Sequence, residues 1–178
     1  MTNFNVSTNI IRDDKSLINY IVTKNASNNF NLIVSNFYDN NKFQGIIGSY
    51  GTGKSSFLWA FEQNLTGRKN YFNSVDSAFP DITSFEFIKL IGEYKPLSVS
   101  LAKTLKIKIA NDESSNIEDK VLEKLGRIIK KNTKAKIATV LLLDEFGKFL
   151  EFAVKNNPDK EVYFIQRLAE FFNDSKKL

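Results

Sequence analysis

Eight consecutive residues carry the densest chemical signal in the chain, Gly48-Ser49-Tyr50-Gly51-Thr52-Gly53-Lys54-Ser55. They fit the spacing glycine, four residues, then Gly-Lys-Ser at every fixed position. Glycine at 48, 51 and 53 lets the backbone bend so that successive N–H groups converge on a phosphate. A helix starting directly after the loop adds the positive end of its dipole. Lys54 supplies a charge for terminal phosphates, and the Ser55 hydroxyl is a hard oxygen suited to Mg²⁺. A second signal is Asp144-Glu145, which closes the apolar run Ala138-Thr139-Val140-Leu141-Leu142-Leu143. One acid there can hold Mg²⁺ directly or through water, and its neighbour can polarise an attacking water. Read alone, Asp144 is equally a strand-ending residue that caps a helix beginning near Phe146.

Other chemistries are closed by composition. The chain has no histidine and no cysteine, which excludes imidazole bases, His-ligated metals, thiolate zinc sites and disulfides. The 178 residues carry a net charge of +5, with 42% hydrophobic and 25% charged residues. These values fit one globular domain with a sizeable core. No run approaches the ~18 apolar residues of a membrane span. Met1-Thr2-Asn3-Phe4-Asn5 lacks the layout of a signal peptide. We therefore expect a cytoplasmic protein without a membrane partner.

The elements that must position these residues follow from periodicity. Leu17, Ile18, Ile21 and Val22 predict a helix over 16–24, and a second is expected over 28–38 with Leu32, Ile33 and Phe37 inward. Phe43-Gln44-Gly45-Ile46-Ile47 reads as a strand leading into the glycine loop. Phe57, Leu58, Phe61 and Leu65 predict a helix after it, ending at Gly67. Residues 68–83 are rich in turn formers, 85–91 read as a strand, and Leu97–Leu105 as a helix after Pro96. Residues 111–116 form the most polar run, a loop. From Ile117, Val121, Leu122, Leu125, Ile128 and Ile129 share one helical face. Residues 138–143 read as a central strand buried on both faces, followed by helices over 146–155 and 160–173. Alternating strands and helices predict an α/β fold with a mostly parallel sheet. In such sheets ligands lie at the carboxyl ends of strands, which brings Asp144 and Glu145 to the phosphate-loop side.

The loop and the segment Val140-Leu141-Leu142-Leu143-Asp144-Glu145 resemble the Walker A and Walker B motifs of P-loop NTPases. The Asp-Glu ending is similar to the additional-strand branch, which includes AAA+ and STAND-type ATPases. More narrowly, residues 48–56 and 144–151 resemble large AAA-like ATPases of bacterial defence and mobile-element loci. The resemblance implies a three-layer αβα fold spanning 1–178 as one domain, with N-terminal helices in 1–41 and a nucleotide-binding core in 42–178. It implies ATP and Mg²⁺ as cofactors. Residues 48–56 (Gly48, Ser49, Tyr50, Gly51, Thr52, Gly53, Lys54, Ser55 and Ser56) would then hold the nucleotide. Lys54 would bind the β- and γ-phosphates, Ser55 with Asp144 would position Mg²⁺, Glu145 would activate water, and Ser56 would lie near the α-phosphate. Ile10, Ile11 and Leu17 would wall the adenine. Such ATPases also carry a polar sensor on a strand after the Walker B strand, and many have an arginine finger and helical lid. None of Arg12, Arg68, Arg127 and Arg167 sits in a finger context. The expectation is the N-terminal part of a longer ATPase, incomplete before the sensor strand, slow alone and acting with other subunits. Asn132-Thr133-Lys134-Ala135 lacks the Asp of a guanine motif.

Seven Lys or Arg against two acids lie between Asp119 and Lys136, an excess equal to the net charge of the whole chain. Lys120, Lys124, Arg127 and Lys131 follow helical steps, a stripe able to neutralise nucleic-acid phosphates or simply to be solvated. Phe171 and Phe172 are expected to form an exposed apolar patch. Two other functions remain open at this point. One is a nucleotide-binding regulatory module without turnover. The other is a small-molecule kinase, for which no acceptor or lid segment is found.

Overall fold

The computed structural model describes residues 8–14, 18–108 and 117–174. Its elements are α1 (Lys24–Tyr38), α2 (Lys54–Leu65), α3 (Val75–Ala78), β1 (Ser84–Ile91), α4 (Leu97–Thr104), α5 (Ile117–Lys134), β2 (Ile137–Asp144), α6 (Gly147–Asn156) and α7 (Pro158–Asp174). β1 and β2 pair in parallel, in register from Ser84 opposite Ile137 to Ile91 opposite Asp144. The chain is therefore mixed α/β, with a parallel sheet and a helical crossover of the kind parallel strands require.

Side-chain alternation divides the sheet between two cores. Ile88 and Leu90 of β1, with Leu141 and Leu143 of β2, face a core completed by Leu97, Leu101, Leu125, Phe149, Phe164 and Leu168. Phe85 and Phe87, with Ala138 and Leu142, face a second core holding Phe30, Phe57, Phe61 and Phe79. Helices α1 and α2 thus cover one face, and α4 to α7 the other. Asp144 has the parity of Ala138 and Leu142, which fixes its carboxylate on the α2 side.

Several expectations are corrected. Residues 18–23 form no helix, and α1 begins at Lys24 with Thr23 as its N-cap, accepting from the Ala26 N–H at 3.1 Å. Burial over 18–22 alternates with a period of two, so the apolar residues serve extended backbone there. Leu32 is 57% exposed, whereas Ala26 and Phe30 are the buried positions of α1. Residues 43–47 join no ladder. The N–H groups of Lys42 and Phe43 donate instead to Asn173 Oδ1 at 2.8 and 3.2 Å, and Ile47 is 98% exposed. Among the described residues β2 pairs with β1 alone, so it is not central there, although both its faces are covered. Phe171 and Phe172 are packed partly buried on the first core; the exposed apolar side chains of α7 are Val162 and Tyr163. The 111–116 loop lies outside the described residues.

α2 is buried nearly all round, as befits a helix between the sheet and other layers. Its polar residues are correspondingly satisfied. Asn64 Oδ1 accepts from the Tyr71 and Phe72 N–H groups, both at 2.8 Å, and Trp59 Nε1 donates to the Asp13 carbonyl at 2.8 Å. Glu62 meets Lys89 of β1 at 2.9 Å, and Lys89 also reaches Asp14 at 3.0 Å. Burial pushes the Glu62 carboxyl upward despite the cation beside it. Burial also acts upward on Asp14, but hydrogen bonds from Lys89 and Arg68 outweigh it and hold that carboxyl below its ordinary value. On the opposite face, buried Asn132 donates to Glu86 at 2.7 Å and Thr139 at 2.9 Å, tying α5 to both strands.

Candidate phosphate-loop site

The loop turns where its glycines permit. Gly51 has φ +80° and Gly53 φ +83°, left-handed values that an L side chain rarely adopts. Gly53 is the N-cap of α2 and offers no side-chain cap bond. The first-turn N–H groups of a long, buried helix therefore face the loop without a capping side chain. Residues 48–53 are exposed, Tyr50 at 97%. The loop is braced internally: Thr52 Oγ1 donates to the Ser49 carbonyl at 2.8 Å. Lys54 Nζ folds back to donate to the carbonyls of Gly48 and Ser49, both at 2.7 Å. An entering phosphate would compete with those two carbonyls for the ammonium.

Ser55 Oγ donates to Asp144 Oδ1 at 3.1 Å across 89 residues of sequence. The same Oδ1 accepts the Glu145 N–H at 2.9 Å. Asp144 is 7% exposed. It does not cap α6, whose N-cap is Phe146 with no side-chain cap bond. Two hard oxygens, one anionic, thus meet beside the loop, a donor set that fits Mg²⁺. Among the described residues no three carboxylates converge, so such an ion would rest on Ser55, Asp144, substrate oxygens and water.

Glu145 follows at once and is exposed, with φ +51°. Its carboxylate forms an ion pair with Lys148, one helical turn on. This reversal depends on a residue that sequence reading passes over. The Gly92 N–H donates to the Asp144 carbonyl at 2.7 Å, and a Cβ built on Gly92 would stand 2.0 Å from the Glu145 carbonyl oxygen. The available signal was a glycine directly after Ile91, at the end of the strand beside Asp144. Thr8 was also missed; its hydroxyl lies 2.8 Å from Ser56 Oγ, docking segment 8–14 on the first turn of α2.

The structure brings Lys54, Ser55, Ser56 and Asp144 to one end of the sheet, with Glu145 following in sequence. Ile10 is corrected: it is fully buried in the second core and offers no face to a base. Ile11, half exposed, lies on the same segment, and Leu17 is outside the described residues. Of the basic stripe, Lys124, Arg127 and Lys131 are exposed on α5 while Lys120 is half-buried. Comparison of the chain with known protein families, with curated proteins and with solved structures returns no match.

Proposed function

We propose that the chain is a P-loop domain that binds Mg·ATP at residues 48–56 and hydrolyses it. The observation that supports this most is the Ser55–Asp144 contact. Two motifs read separately from the sequence meet there, which neither a surface glycine turn nor a helix cap would require. The expected P-loop three-layer αβα fold belongs to the same reading; helices on both faces of the parallel sheet support it.

On binding, Lys54 exchanges its two loop carbonyls for phosphate oxygens, and N–H groups of the loop and first turn of α2 donate to the phosphates. Ser55 and Asp144 would hold the metal, which would supply positive charge to offset that of the phosphates. Glu145 leaves Lys148 and accepts a proton from water as the water oxygen attacks the γ-phosphorus. The bond to the bridging oxygen breaks, and its electron pair leaves on the diphosphate. With no arginine finger identified, turnover is slow; such a finger is worth ~10³–10⁵ in rate.

Titration of Mg·ATP and Mg·GTP by calorimetry, with Lys54→Ala beside wild type, tests the binding. Saturable binding of Mg·ATP that the variant loses is expected; a folded wild type that binds neither nucleotide overturns the proposal. A second reading, a nucleotide-binding module without turnover, is favoured by the engagement of Glu145 with Lys148. Glu145→Gln separates the two. It abolishes phosphate release while sparing affinity if the chain hydrolyses ATP, and changes nothing if it does not.

A further inference from the structure

The last three turns of α5 hold charge that the nucleotide site does not use. Residues 124–136 contain six Lys or Arg and no acid, and Lys124, Arg127, Lys130, Lys131, Lys134 and Lys136 are all exposed. The acids of α5 lie toward its start and are engaged: Glu118 with Lys160 and Arg167, Asp119 with Arg167, and Glu123 with Arg127. Among the described residues no carboxylate pairs with Lys124, Lys130, Lys131 or Lys134. From Lys124 to Lys134 the helix advances about 15 Å, a cationic strip several phosphates long.

Beside this strip runs an open groove of about 510 Å³ between α5 and α7. Gly126, Ile129 and Phe171 form its apolar floor, Lys130, Thr133 and Lys134 stand on its α5 side, and Asp174 stands at its α7 end. The Phe171 ring packs over Gly126, 3.8 Å from where a Cβ would be, so the ring forms one wall of the groove. An apolar seat with an aromatic ring, edged by lysines along α5, matches a base whose phosphates run on the α5 side, away from Asp174. A plain polyanion would leave the seat unfilled.

We infer that the α5–α7 face binds single-stranded nucleic acid, with phosphates on Lys124, Lys130, Lys131 and Lys134 and a base seated against Phe171. The charge supplies most of the affinity and makes it salt-dependent, and the stacked base adds preference for an unpaired strand. This surface is separate from the phosphate loop and does not rest on the ATPase reading.

The test is fluorescence anisotropy of the full chain with labelled dT15 and rU15, against a duplex of equal length. Four phosphate contacts predict a slope of log affinity on log salt of about −2.8 for single strands. Lys130→Glu/Lys134→Glu should halve that slope and weaken binding at least about tenfold. Phe171→Leu, kept apolar so that α7 stays packed, should weaken single-strand binding by about fivefold or more with the slope unchanged. The tighter of dT15 and rU15 names the natural strand. Circular dichroism of each variant reports folding, and Lys103→Glu/Lys106→Glu on the α4 side serves as the control. The inference is overturned if the wild type binds neither strand at 50 mM salt, or if the control variant weakens binding as much. Displacement by polyglutamate of equal charge also overturns it and assigns an acidic protein instead. Unchanged affinity in a folded Phe171→Leu overturns the base seat and with it the choice of nucleic acid.

Discussion

Replacing Gly92 by alanine puts a methyl carbon 2.0 Å from the Glu145 carbonyl oxygen and 2.7 Å from its carbonyl carbon. Both obstacles are backbone, so no flexible side chain can yield. Ordinary contact begins near 3.4 Å, and the end of β1 must therefore part from the Asp144–Glu145 reversal by about 1.4 Å. Overpacking of this kind costs about 1–3 kcal/mol, and losing the Gly92 N–H bond to the Asp144 carbonyl adds about 1 kcal/mol. A total near 3 kcal/mol, with a urea slope of about 2 kcal/mol/M, lowers the unfolding midpoint by about 1.5 M. The displaced group is the backbone of Glu145 itself. On the proposed function, a misplacement of about 1 Å lowers turnover by about 10²-fold, while the glycine loop, on a different element, is expected to keep its nucleotide affinity. Urea unfolding, phosphate release and calorimetry read the three effects separately. An alanine variant with the wild-type midpoint would refute the close approach. One that is destabilised but turns over normally would refute the role given to Glu145.

The other predictions concern charge. Lys89→Met strands the buried Glu62 and the partly buried Asp14 and should cost about 3–5 kcal/mol, part of which Lys89→Met/Glu62→Gln recovers; denaturant unfolding of both variants checks this. Burial raises the Glu161 carboxyl, with Glu118 adding to the rise, although it accepts the Leu97 N–H at the start of α4. Its folded value lies above the unfolded 4.5, so its contribution to stability is full below that pH and is lost as pH rises through the folded value. Glu161→Gln should therefore remove this pH dependence and be neutral or stabilising at pH 7, by thermal unfolding across pH 4–8. Asp144→Asn should raise the apparent Kd for Mg·ATP at least about tenfold and leave affinity in EDTA unchanged, by calorimetry with and without metal.

Most helices and both strands were legible because each carries a long, one-period pattern. The 3.6-residue repeat of Val121, Leu125 and Ile128 admits one reading, and so does the apolar run of β2. The failures are short segments. Ile18 to Val22 satisfies helical spacing over one turn, yet its burial alternates, and five residues cannot distinguish the two periods. Phe43 to Ile47 has strand composition, but a strand needs a neighbour, and its leading N–H groups go to Asn173, 130 residues away. Asp144 and the glycine loop stand out in the sequence because their chemistry is written in residue type, and the structure places Ser55 beside Asp144. Gly92 was not, because its role is the absence of a side chain against a backbone still 53 positions ahead. Thr8 was missed for a similar reason: a hydroxyl on an irregular segment has no periodicity to place it against Ser56.

The chain has one tryptophan, Trp59, 2% exposed on α2, the helix that follows the glycine loop. Its indole is tied to the Asp13 carbonyl, on the segment whose Thr8 touches Ser56. The molecule therefore contains its own optical probe. Release of segment 8–14 from α2 would admit water to the indole and shift its emission to longer wavelength. Unlabelled protein in a stopped-flow fluorimeter would then read whether that segment leaves α2 as nucleotide is added, and how fast.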